Sequence, residues 1–248
     1  MKNSITFLAS ILVIAFAYAQ DKPATHMYER LYLTPKPDKI KMLNQNLSAH
    51  NKKYHGEGIH SAFVQSVITG RRSGDYVWSM GPGTFASLDT RPAEGGHDDD
   101  WSDNVMPYVE SISQNEYWVR DDEHFYDGPE NYSGDKARIR FHRTKPGTGE
   151  KFRELMGKIV KVYREKKFNR TFAVYSNTFP TARGRNVATA SGFANWAYYD
   201  EDNNFNADFE SVHGENTWQA WLTELGEIIE WTDNEVVQTV PELGGTEE

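Results

Sequence analysis

The sequence repeats one order of secondary-structure signals twice, and this repeat limits the fold more than any other feature of the chain. Polar–apolar alternation predicts strands, and apolar residues spaced by three or four predict helices. These signals follow one another as strand, helix, strand, strand, helix, strand between residues 28 and 120, and again between 137 and 240. A tandem duplication accounts for both runs, and chance agreement between two ordinary α+β segments is the alternative.

The two runs match element by element. In the first run, the predicted elements lie at 28–33, 40–54, 61–69, 76–80, 101–112 and 116–120. In the second run, they lie at 138–142, 152–163, 171–177, within 188–199, at 218–229 and at 235–240. Trp101 and Trp218 each open the second helix of a run after an acidic stretch, and Lys36-Pro37 matches Lys145-Pro146 after the first strand. Pro107 should kink its helix or lie near its start.

These elements predict an α+β fold of two tandem ferredoxin-like βαββαβ units, packed sheet to sheet as an α+β barrel within one chain. The predicted divisions are a signal peptide at 1–19, a first unit at 20–127, a linker at 128–134, a second unit at 135–241 and a disordered tail at 242–248. The linker is a cluster of turn-forming residues, which is typical of a boundary.

The signal peptide is predicted from the composition of the N-terminus. Lys2 precedes an apolar run at 5–16, and Ala17-Tyr18-Ala19 has the small-x-small pattern of a cleavage site. The run is shorter than the roughly 20 residues that span a membrane. We therefore expect cleavage before Gln20 and secretion or a periplasmic location, without stable membrane insertion.

Charge and cysteine content exclude several classes of partner and cofactor. The formal net charge of −9 disfavours nucleic-acid binding, and the absence of cysteine excludes disulfides and thiolate metal sites. His50, His55 and His60 are five residues apart, so they do not share one helical face. The segment 97–100 (His-Asp-Asp-Asp) lacks the register of a calcium loop and reads as an acidic helix N-terminus. We expect no tight metal site and no cofactor.

The order of elements resembles the dimeric α+β barrel superfamily, with its antibiotic-biosynthesis-monooxygenase-like, haem-degrading and chlorite-dismutase-like branches. The resemblance covers about residues 28–240. The haem-degrading branch uses an Asn on its first strand, a Trp and a helical His. Here Trp78 and His50 match the last two residue types, but neither first strand contains Asn, which argues against haem degradation. The resemblance implies cofactor-free monooxygenase-like activity as a candidate, and a further homodimer.

The first strands of the two units supply the candidate site. Arg30 and Tyr32 alternate with leucines in the first unit, and Arg138, Arg140 and His142 alternate with Ile139 and Phe141 in the second. If the apolar sets face the helices, the polar sets converge inside the barrel, where they would bind a small anionic or phenolic ligand.

Trp78 could supply an aromatic wall for that ligand. Two alternatives stay open at this point. The arginines could instead pair with internal acids such as Glu29 or Glu116, and the protein could be a non-catalytic binding or interaction module.

Overall fold

A computed structural model describes residues 25–93, 95–130, 132–201 and 204–246. These residues contain nine strands and five α-helices. The strands are β1 (Met27–Pro35), β2 (Ala62–Thr69), β3 (Tyr76–Gly83), β4 (Val109–Ile112), β5 (Glu116–Arg120), β6 (Lys136–Thr144), β7 (Phe172–Asn177), β8 (Val187–Phe193) and β9 (Ile229–Thr239). The helices are α1 (Ile40–Tyr54), α2 (His97–Asp100), α3 (Gly149–Lys166), α4 (Phe205–His213) and α5 (Thr217–Ile228).

Eight of these strands form a closed antiparallel barrel. Their order is β3-β2-β9-β6-β8-β7-β5-β1, and pairing of β1 with β3 closes the circuit. The short strand β4 pairs with the end of β1 outside this circuit. The prediction of an α+β barrel is confirmed, but the halves form one continuous sheet rather than two stacked sheets.

Each half of the chain contributes four neighbouring strands in the same order. The first half supplies β5-β1-β3-β2 and the second supplies β9-β6-β8-β7, so in each half the fourth strand lies beside the first. The halves join at two seams, where β2 pairs with β9 and β5 pairs with β7. Both edges of each half are therefore satisfied by the other half.

Helices cover the outer face of the barrel in both halves, because their apolar stripes need a partner surface. Leu43 and Leu47 of α1 pack on β1 in a cluster with Leu31 and Leu33. In the second half, α3 and α5 bury a larger cluster that is centred on Phe152.

Two predicted segments differ in the structure. The segment 101–112, predicted as a helix, contains no α-helical residue, because α2 ends at Asp100 and a π-helical turn, a 3₁₀ turn and β4 follow it. Pro107 lies in the first two positions of the 3₁₀ turn, where its missing N–H is tolerated. The acidic stretch before Trp218 contains α4, which buries Phe209 against the second-half helices.

The C-terminal segment is ordered up to residue 246, so the prediction of a disordered tail from 242 is wrong for the described residues. Leu243 is buried, and its carbonyl accepts a hydrogen bond of 2.7 Å from the Asn51 side chain of α1. The predicted signal peptide lies outside the described residues. Within them, no helix combines the length and apolar character that crossing a membrane requires.

Candidate functional site

The two first strands present opposite faces to the barrel interior. On β1, Arg30 and Tyr32 point inward as predicted, and the leucines between them pack on α1. On β6, Ile139 and Phe141 point inward instead. The prediction that Arg138, Arg140 and His142 converge with Arg30 and Tyr32 is therefore wrong.

Those three β6 side chains instead line a cavity of about 360 Å³ between the sheet and the second-half helices. Trp78 also differs from its expected place, because it lies on the helix side of the first half, where its indole N–H donates to Asn51 over 2.9 Å. Most of the cavity wall is aromatic or aliphatic, as this lining shows: Met156, Ile159, Tyr163, Phe172, Phe193, Tyr198, Tyr199, Phe205, Trp218, Trp221, Leu222 and Leu225.

The positive charges of this second-half pocket have no acidic partner in the described parts of the chain. Neither Arg138 nor Arg140 forms an ion pair there, and no Asp or Glu lines the cavity. Partial desolvation by the pocket walls and, after it, the charge of Arg138 lower the pKa of Arg140, although the residue as a whole is exposed to solvent. Two neighbouring guanidiniums of this kind favour an anion between them.

His142 adds a neutral imidazole to the pocket. It is buried, its Nδ1 lies 2.8 Å from the Thr232 hydroxyl, and its ring contacts Phe152. Burial, with a smaller contribution from Arg140, lowers the pKa of His142 to about 4. At neutral pH this group can therefore accept a proton or a hydrogen bond.

Two tryptophans form a flat wall of the same pocket. The Trp218 and Trp221 rings stack at 8° with their centroids 4.9 Å apart, and the Trp221 N–H donates to the Leu155 carbonyl over 2.9 Å. This bond fixes the plane of the pair, so the wall is preformed for an aromatic ligand.

The barrel interior holds a second, larger cavity of about 470 Å³, which Arg30 lines, and a group of ion-paired side chains also lies inside the barrel. Arg185 makes a hydrogen bond of 2.7 Å to Glu116, and the Tyr32 hydroxyl donates to Glu235 over the same distance. Arg30 lies 3.5 Å from Glu235. Burial alone would raise the pKa of Glu116, but the hydrogen bonds from Arg185 hold it below its usual value. Internal ion pairing, the alternative considered for the arginines, thus describes the interior.

Arg185 was missed by sequence reasoning, because it lies in the turn before β8 and outside every strand pattern. Its guanidinium is 3.8 Å from the centre of the Phe141 ring, inside the barrel.

A third group of polar side chains lies on the helix side of the first half. His50, His55 and His97 each offer a ring nitrogen, and these nitrogens lie within 4.8 Å of one another. His60, which follows His50 and His55 at the same five-residue spacing, does not belong to this group. Its Nε2 lies 2.8 Å from the Ser87 carbonyl. Burial lowers the pKa of His50, and it lowers that of His55 to about 4.

The residues do not fit a haem. Among the described residues, the second-half pocket contains one histidine, His142, and it comes from a strand rather than from a helix. The helical His50 faces a cavity of only about 240 Å³. Pockets for drug-sized ligands are usually about 300–1,000 Å³. The absence of Asn on the first strands agrees with this result.

No known family profile matches the sequence, and no curated protein does. Solved structures do resemble the fold. A candidate monooxygenase from Fusobacterium nucleatum has a TM-score of 0.57 and 11% identity, with 88% of this chain and 94% of that chain covered. An anthrone oxidase-like protein has a TM-score of 0.55 and 14% identity, with 88% and 92% covered.

Chlorite dismutase from Candidatus Nitrospira defluvii has a TM-score of 0.52 and 8% identity, covering 88% of this chain and 92% of that chain. At such low identities the likeness concerns the fold alone. The chain shares the fold of these proteins, an antiparallel β-barrel with helices outside it, and its own residues must supply the argument for function.

Proposed function

We propose that the protein binds a small aromatic carboxylate or phenolate in the second-half pocket. The observation that carries this proposal is the pair Arg138 and Arg140, which faces an aromatic cavity with no carboxylate in its described lining. Neither guanidinium has an acidic partner among the described residues, and a carboxylate ligand can supply one by bidentate pairing. The cavity of about 360 Å³ lies within the usual range for small-molecule sites.

The same geometry supports cofactor-free monooxygenase-like chemistry as the finer proposal. Neutral His142 would accept a hydrogen bond from the hydroxyl of a phenol-type substrate, and the arginines would stabilise the phenolate that forms when its proton passes to solvent. Dioxygen would then accept electrons from this anion. One oxygen atom becomes a carbonyl on the ring carbon, and the other leaves as water with the two hydrogens that the substrate loses, so the substrate itself is the reductant. The neighbours described as monooxygenases and as anthrone oxidase-like are compatible with this chemistry.

Binding is tested with 2-naphthoate and 1-naphthol by calorimetry and thermal shift. Because a charge-assisted hydrogen bond contributes about 1.5–3 kcal/mol, Arg140→Met should weaken 2-naphthoate binding about 10- to 150-fold. Arg183→Met, at an exposed position in the β7–β8 turn, is the matched control and should bind as wild type does. If neither compound stabilises the wild-type protein, the proposal is wrong.

Oxygen uptake with anthrone as substrate separates the two candidate activities. Uptake above the uncatalysed rate that is lost in His142→Gln supports the monooxygenase. Binding without such uptake supports the non-catalytic binding module.

We also infer that the halves derive from one duplicated ferredoxin-like unit, which the identical strand order supports. An experimental structure in which 26–126 and 135–241 do not superpose would overturn this inference. Export through the segment 1–19 stays a prediction, which N-terminal sequencing of the exported protein checks at Gln20. A further homodimer also stays a prediction, and light scattering of the purified chain tests it.

A further inference from the structure

We propose that His50, His55 and His97 bind one divalent transition-metal ion, with Zn²⁺ as the leading candidate. Imidazole nitrogens suit zinc, copper, iron and nickel, and three histidines with an open fourth position form a recognised type of zinc site. The site is independent of the second-half pocket, because it lies on the helix side of the other half of the barrel.

The outer nitrogen of each ring is already held by an acceptor. Nδ1 of His50 lies 2.7 Å from the Asp100 carboxylate, and Nδ1 of His97 lies 2.7 Å from the Asp98 carboxylate. Nδ1 of His55 lies 2.9 Å from a backbone carbonyl. Because these partners accept and do not donate, each Nδ1 carries the proton and each Nε2 carries the lone pair. This is the arrangement that orients histidine ligands toward a metal.

Two of the lone pairs face each other. Nε2 of His55 and Nε2 of His97 are 3.1 Å apart, and two acceptors at that distance repel unless a cation lies between them. Tetrahedral ligands on Zn²⁺, at about 2.0–2.1 Å each, have nitrogens roughly 3.3 Å apart. This pair is therefore close to the spacing that zinc requires, and His50 completes the set with a modest side-chain movement.

The surrounding structure fixes the rings. His50 and His55 are buried at the end of α1, where the rings of Trp101 and Trp78 contact them at centroid distances of 5.1 and 5.2 Å. Gly95 and Gly96 adopt positive φ values of 71° and 79°, which place His97 over the other two rings at the start of α2. Ligands on such supports need little reorganisation to bind an ion.

The three rings line a cavity of about 240 Å³. Glu29 is buried at the same cavity, where it accepts a hydrogen bond of 2.6 Å from Asn115 and pairs with Arg91. The coordination position that three imidazoles leave open can be filled there by water or a small anion.

A second group of possible metal ligands, around Asp121 and His124, differs from the histidine cluster because its carboxylate already has a cationic partner. The Asp121 carboxylate is held by Arg153 at 2.6 Å as well as by His124 at 2.8 Å. A carboxylate that already pairs with a guanidinium does not need a metal ion to balance its charge. We therefore interpret this group as an ion pair.

The test uses tag-free, full-length protein stripped with dipicolinate and titrated with Zn²⁺ against a chromophoric chelator. We expect one equivalent to bind tightly, and Co²⁺ to give the visible absorption of a four- or five-coordinate site. His97→Gln changes the most accessible ligand and should weaken Zn²⁺ binding by at least ~100-fold. Asp100→Asn, which only orients His50, should weaken it by about 10- to 100-fold.

His60→Gln is the matched control, because it keeps the His60 backbone carbonyl that holds Nδ1 of His55 and changes only a side chain that lies outside the cluster. It should retain wild-type affinity, and all variants should keep the wild-type circular dichroism. The proposal is overturned if wild type binds well below one equivalent, or if His97→Gln binds as tightly as wild type. Equal loss in His60→Gln would overturn it as well, since binding would then not depend on the cluster.

Discussion

The two helix-covered faces of the barrel occupy corresponding places in the two halves but present different chemistry. The first-half face holds three histidines beside a cavity of about 240 Å³. The second-half face holds three arginines beside a cavity of about 360 Å³, and two of them, Arg138 and Arg140, have no acidic partner among the described residues. The shared strand order determines where a pocket forms. The residues at equivalent strand positions of the two halves determine what that pocket can bind.

Counting back from the shared Lys-Pro pairs makes this equivalence explicit. Leu33 and His142 both lie three residues before the lysine, and Leu31 and Arg140 both lie five before it. Leucine closes this part of the first-half face, because it packs on α1. At the equivalent position of the second half, Arg140 lines the pocket and gives it a positive charge.

The largest expected effect separates the arginines of the interior from those of the pocket. Arg185→Met leaves Glu116 buried without its cation and should lower the free energy of unfolding by about 3–5 kcal/mol. Arg140→Met removes a charge without a described acidic partner and should change it by less than about 1 kcal/mol. Urea denaturation measures both, and equal losses would contradict the distinction.

A second prediction concerns acid stability in the second half. His142 has a pKa of about 4 in the folded protein and about 6.5 when unfolded, so the unfolded state binds more protons between these values. Stability should therefore fall as the pH drops from about 6.5 to 4, by up to about 3 kcal/mol from this group alone.

His142→Gln should flatten that part of the pH dependence measured by urea denaturation. His60→Gln in the first half is the control and should keep the wild-type slope. A slope that is unchanged in His142→Gln would show that this histidine is not buried as a neutral ring.

The smallest expected effect tests the aromatic wall. Trp218→Leu removes stacking worth about 0.5–1.5 kcal/mol and should weaken 2-naphthoate binding by roughly 2- to 13-fold. Trp101→Leu, in the corresponding segment of the first half, should leave that affinity unchanged. Calorimetry at constant pH measures the affinity of both variants for 2-naphthoate. An equal loss of affinity in Trp101→Leu would contradict the assignment of the ligand to the second-half pocket.

The order and the approximate bounds of most elements could be predicted from the sequence, because long apolar stripes and clear alternation specify them. The face of β6 that points into the barrel could not be predicted. A strand in this barrel is covered on both faces, by helices outside and by other strands inside, so polarity does not identify the face that points inward. The spacing from Lys145-Pro146 is the signal that would have placed Arg140 opposite Leu31.

The histidine cluster was hidden for a different reason. His97 is far from His50 and His55 in the chain, and the packing of the π-helical turn after α2 against α1 brings them together. Sequence spacing tests ligands within one element, so it compared His60 with His50 and His55, and it compared His97 only with the aspartates that follow it.

The two seams of the barrel affect how the chain can be made. The β2–β9 seam joins Gln65 to Thr239, so a ribosome must add about 170 residues after β2 before this seam can form. Until then, the nascent first half has unpaired backbone donors and acceptors on β2 and β5, which are open to pairing with other chains. A truncation before β9 leaves the β2 edge permanently open, so loss of the last strand should favour aggregation during synthesis rather than release of a stable half-barrel.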